Sequence, residues 1–163
     1  MTADGTIEQR GDEAMIRFER ELAHPVERVW AALTEPGRLI AWWGDADVDL
    51  AGGRFTVRWL NTDDEGNGVT MEAAITELDP PRVLEIRGEP HGVLRFELEG
   101  EGDRTRLTFT STLALPDEFH TKVLAGWHFH LDALATALDG GSTDLEHVAG
   151  WEPIHDTYVR AAS

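Results

Sequence analysis

Histidine is the side chain in this sequence best suited to acid–base work, because few other groups here could carry chemistry. The 163 residues hold seven histidines and no cysteine, so thiolate nucleophiles, thiolate metal sites and disulfides are excluded. Ser111, Ser142 and Ser163 are the only serines, and none lies in a G-x-S-x-G elbow. The glycine pairs Gly52-Gly53 and Gly66/Gly68 lead into runs of period two, so they lack the helix N-terminus that binds phosphate. Asn61, Asp63, Glu65, Gly66 and Glu72 fit positions 1, 3, 5, 6 and 12 of a calcium-loop template. The flanks alternate as strands do and position 1 is Asn, so a polar hairpin turn is the expected structure and no metal is assigned.

Among the histidines, His120 stands apart. At about 100° per residue it falls near the centre of a helical stripe made by Leu124, Trp127, Leu131, Leu134 and Leu138. A buried imidazole there needs a partner, which could be a ligand oxygen, a backbone carbonyl or a carboxylate. His128 and His130 fall on opposite flanks of the stripe, so they do not form a metal-ligand pair. His128 and Asp132 lie one turn apart and are expected as a solvated or rim pair. Six tryptophans are many for this length; Trp42, Trp43, Trp59 and Trp127 fall on expected interior or rim positions, where they either pave a pocket or fill the core.

The elements that would hold these residues follow from where the hydrophobic period changes. Residues 1–12 are polar and expected to be loose; Ile16, Phe18 and Leu22 then alternate as a strand. Val26, Val29, Trp30 and Leu33 recur with helical spacing after Pro25, which suits the first helical position, and Pro36 stops the run. Residues 36–43 form a second short helix or turn. From Ala46 to Leu113 the period is two, with Phe55, Val57 and Trp59, then Val69, Met71, Ala73 and Ile75, then Leu84 and Ile86, then Leu94, Phe96 and Leu98, then Leu107, Phe109, Ser111 and Leu113 each on one face. Turn chemistry at DDEGNG, DPP, GEPHG and EGEGD separates these strands, giving an antiparallel meander with one wet face. After Pro116 the helical period returns and runs to Gly140-Gly141. Trp151, Ile154 and Tyr158 suit a short helix packing back on the domain.

Thirty-one acidic against fourteen basic residues give a formal charge of −17, which repels nucleic acid and anionic lipid surfaces. No apolar run reaches membrane-spanning length and the first residues lack the pattern of a signal peptide, so a soluble cytoplasmic protein is expected.

Strand, two short helices, a meander and a long helix make up the order of the helix-grip fold, and the sequence resembles the START-like (SRPBCC) superfamily. Within it the branch named for activators of heat-shock-protein ATPase is most similar. The segments that carry the resemblance are HPVERVWAALTEPGRLIAWWG at 24–44, GGRF at 52–55, LDPPRVLEI at 78–86 and GWHFHLDALATAL at 126–138. The resemblance implies an α+β fold in which a curved antiparallel sheet of about six to seven strands wraps a long C-terminal helix. It implies a helix-grip domain over 13–141 with a C-terminal extension over 142–163, and a cavity between sheet and helix, with Trp42 and Trp43 near one end. The expected function is binding of an apolar or amphipathic small molecule there. Its candidate lining is Trp42, Trp43, Phe55, Trp59, Met71, Phe96, Phe109, His120, Leu124, Trp127 and Leu131. A protein-interaction domain, a homodimer, and a cyclase- or dehydratase-like enzyme using His120 or a rim histidine are the alternatives. No catalytic residue, metal or cofactor is assigned.

Overall fold

The computed structural model describes residues 4–162; residues 1–3 of the expected loose segment lie outside the described residues. The chain runs β1 (Thr6–Arg10), β2 (Glu13–Leu22), α1 (Val26–Thr34), α2 (Pro36–Leu39), β3 (Gly44–Asp49), β4 (Arg54–Thr62), β5 (Gly68–Asp79), β6 (Val83–Gly88), β7 (Gly92–Glu101) and β8 (Arg104–Ala114). A 3-10 turn (Asp117–Phe119) then leads into α3 (His120–Leu138), and α4 (Trp151–Ala162) follows. The strands form one antiparallel sheet of eight in the order β1-β2-β8-β7-β6-β5-β4-β3. The hairpins of β3 to β8 are the meander of the sequence reading. Between β2 and β3 the chain crosses through α1 and α2 to the far edge, and β8 returns beside β2.

The expected count of six to seven strands is exceeded by one element, β1. Its residues were expected to be loose on polar composition, yet they pair with β2 from Thr6↔Arg17 to Arg10↔Glu13. An edge strand is held by ladder hydrogen bonds and needs no apolar face, so its exposed side chains gave no periodic signal. Pro25 sits just before α1 as its N-cap, and Pro36 both follows α1 and opens α2.

Alternation places one row of large side chains across the concave face. Phe18 lies opposite Phe109, Phe109 opposite Phe96, and Phe96 opposite Leu84, so four adjacent strands contribute one apolar band, fully buried. Such cross-strand aromatic pairs each add about 0.2–1 kcal/mol. On the opposite face Arg95 reaches Glu77 at 2.8 Å and Glu85 at 2.9 Å, linking three strands by charge. α3 lays Leu124, Trp127, Leu131, Leu134 and Leu138 on the apolar face. It is buried on further sides too, including Ala125, His128, Phe129, His130 and Ala133, because it also meets α4, α1 and the Trp42 backbone. Among the described residues no helix is long and apolar enough to cross a membrane.

Candidate ligand recess

The middle of the sheet–helix interface is filled. Trp127 packs against Phe109 at 4.5 Å between ring centroids and against Trp43 at 5.5 Å, and Phe96 lies 5.0 Å from Phe109. Free volume remains at one end, as a partly open recess of about 370 Å³. Its helical wall is one face of α3, where Val123, Gly126, Trp127 and His130 follow at spacings of three and four. Its sheet wall continues the inward alternation of β4: Phe55 and Val57 lie in the core, while Trp59 and Asn61, two and four residues further on, reach the recess. His91 enters from the β6–β7 turn, and Val148 and Trp151 close the outer side.

Gly126 is the gap in the helical wall. A Cβ built there meets nothing within 4 Å, so the missing side chain is part of the free volume. A glycine inside a helix costs about 0.8–1.0 kcal/mol relative to alanine. Val148 holds φ at 45°, a conformation β-branched residues rarely adopt and one that costs on the order of 1–3 kcal/mol. That bend directs the chain into α4. The helix is then pinned to α3 by a 3.1 Å bond between His155 Nε2 and Thr121 Oγ1 and by buried Ile154 and Tyr158, while Trp151 stacks on His155 at 4.6 Å within it. The Tyr158 hydroxyl accepts the Gly5 amide at 2.9 Å and lies 2.8 Å from His128 Nδ1. Burial pushes the phenol up to about 12. Burial likewise lowers the His128 pKa against the pull of Asp132 and Asp4.

Two imidazoles face the recess, and both are neutral at pH 7. Burial carries His130 down to about 4, and burial together with the nearby His130 carries His91 to about 4. The Nδ1–H of His130 donates to the Trp42 carbonyl at 2.9 Å. Since a carbonyl can only accept, Nδ1 carries the proton and Nε2 presents a lone pair. His91 stacks on Trp59 at 4.8 Å with 27° between the planes, and its Nδ1 is buried without a partner among the described residues. Among the described residues no Lys, Arg, Asp or Glu lines the recess.

Of the residues expected to line a cavity, Trp59 and Trp127 do so. Trp42 and Trp43 are fully buried behind them: Trp42 Nε1–H donates to the Ala32 carbonyl at 2.8 Å, and Trp43 packs on Trp59 at 5.7 Å. Phe55, Met71, Phe96, Phe109, Leu124 and Leu131 are core. His120 lies outside the recess lining. It is the first residue of α3, with Nε2 buried and 3.5 Å from an Asp117 carboxylate oxygen. Helical angle gave its face but not its depth along the axis. His128, expected in a solvated or rim pair with Asp132, is 5% exposed because α4 covers it, and His130, on the opposite flank, is 6% exposed because the Trp42 backbone caps it. His91 was missed altogether, since a turn residue has no period to announce its direction.

The asparagine-flanked loop tested as a calcium template is the β4–β5 hairpin. The Asp63 carboxylate accepts the amides of Glu65 and Asn67, both at 2.9 Å, which hold it below its usual pKa. Among the described residues no group of three or more His, Cys, Asp or Glu side chains could hold a metal ion.

The model of the family described as Activator of Hsp90 ATPase homolog 1-like protein matches residues 23–139. No curated protein matches the chain. Among solved structures the chain is similar to CalU16 from Micromonospora echinospora, at 24% identity over 96% of this chain and 93% of that one, with a TM-score of 0.72. It is similar to protein BPP1335 from Bordetella parapertussis at 25% identity, over 94% of this chain and 87% of that one, with a TM-score of 0.69. DynU16, described as a protein in the dynemicin biosynthetic locus, matches at 23% identity over 82% of this chain and 49% of that one, with a TM-score of 0.68.

Proposed function

The chain belongs to the Activator of Hsp90 ATPase homolog 1-like family, and on that premise we propose that it binds an apolar or amphipathic small molecule in the recess between β4 and the first half of α3. The observation that carries this reading is the uncovered volume of about 370 Å³, walled by Trp59, Trp127, Trp151 and Val123 and widened by a mid-helix glycine. Space of this size and apolar character, with a few polar groups converging on it, suits a small ligand. Helical stability is forgone at Gly126 where no packing contact demands it, which fits a wall kept open for an occupant. The polar side chains in the lining, Asn61, His91 and His130, are neutral, and four of its other side chains are aromatic, which supports desolvation and stacking as what the site offers.

The test is a titration with the neutral dye N-phenyl-1-naphthylamine, whose emission rises in apolar surroundings. Saturable enhancement is expected in the parent protein, with at least a tenfold loss of affinity in Gly126→Phe, whose ring would occupy the recess. A parent protein that gives no saturable signal, or a folded Gly126→Phe that binds the dye as well as the parent, would overturn the reading.

A further inference from the structure

The geometry points to a ligand that is a neutral aryl alcohol or phenol, whose hydroxyl donates to His130 Nε2 while its ring lies among Trp59, Trp127 and Trp151. This rests on the proposed binding reading and narrows it to a chemical class.

The first support is directional. His130 commits its only proton of the neutral ring to the Trp42 carbonyl at 2.9 Å. Its other nitrogen makes no hydrogen bond among the described residues and is not fully enclosed, and the side chain, 6% exposed, belongs to the recess wall. The site therefore offers an acceptor in apolar surroundings, and an occupant that brings a donor satisfies it. Trp127 packs against the ring at 5.9 Å and Phe129 at 5.4 Å, so His130 cannot swing away to find another partner. The second support is electrostatic. A carboxylate seated here would find no lysine or arginine in the lining, and it would face the lone pair of Nε2 while entering a protein of formal charge −17. Both imidazoles remain uncharged well below neutrality, so neither supplies the missing cation. The third is the aromatic lining: Trp59 meets Trp127 edge to face at 6.3 Å and stacks on His91, and Trp151 adds a further ring, a surface that favours an aromatic guest.

Three probes of one ring system separate these terms: 2-naphthol, 2-methoxynaphthalene and 2-naphthoate, each titrated by tryptophan quenching at pH 7.5. The expected order places 2-naphthol about 3- to 10-fold tighter than the methyl ether, which keeps the ring and removes the donor. The carboxylate should bind at least tenfold more weakly than the naphthol. In His130→Phe the naphthol should lose its advantage over the ether while the ether keeps its affinity. Equal binding of naphthol and ether by the parent protein overturns the inference without needing any variant, as does tightest binding of the carboxylate. So does a naphthol preference that survives in folded His130→Phe. If the ether binds, is lost in Gly126→Phe, and the naphthol gains nothing, the recess is a binding site and the donor assignment fails. If no probe binds, both fail together.

Discussion

Replacing Gly126 by alanine should make the protein more stable, an outcome opposite to that expected for most substitutions in a helix packed on a core. The Cβ added at this position meets no atom within 4 Å, so no packing penalty is expected. The gain is the difference in helix propensity, about 0.8–1.0 kcal/mol. For a chain of this size each kcal/mol moves Tm by about 2–4 °C, so a rise of a few degrees should appear in a thermal melt. Urea denaturation should give the same gain with an unchanged m-value, since the surface exposed on unfolding hardly alters. The alanine variant should still bind the dye, because one methyl group takes little of about 370 Å³. A fall in Tm for Gly126→Ala would refute the reasoning, because it would mean that the helix wall is already in contact with something across the gap.

Acidification should weaken the fold through His91 and His130. Each has a native pKa near 4 against an ordinary 6.5, so the unfolded chain takes up protons first. Their stabilising effect is complete above pH 6.5 and is lost as pH falls from there through 4, with an upper bound of about 3 kcal/mol per ring. Urea melts at pH 7 and pH 5 should show a smaller drop in His130→Gln than in the parent; equal drops would contradict the assignment. Tyr158→Phe should cost about 1–3 kcal/mol, because it strips the Gly5 amide of its acceptor and His128 of its 2.8 Å partner. Hydrogen exchange at Gly5 should accelerate in that variant, and an unchanged rate would show that the hydroxyl does not hold β1.

How far the sequence reached depends on whether periodicity applies. The meander and the α3 stripe were legible because Phe96, Phe109, Leu131 and Leu138 repeat at the period of their element, and all of them are buried. The recess was only partly legible. Trp59 and Trp127 lie on periodic faces, whereas His91 projects from a turn and Val148 from a bent connection, where direction depends on individual dihedral angles. His120 and His130 show the other limit. A helical wheel assumes a single packing partner, but α3 meets the sheet, α4 and the Trp42 backbone, so a residue on the flank of the wheel became the better buried one.

The bond between Gly5 and Tyr158 brings together segments that are 153 positions apart. A single break at the exposed tip of the β4–β5 hairpin, near Asp64 and Glu65, would leave two pieces that still meet through this contact, since it joins the piece carrying β1 to the piece carrying α4. Every strand would keep the neighbours it has now, because β2 of one piece pairs with β8 of the other.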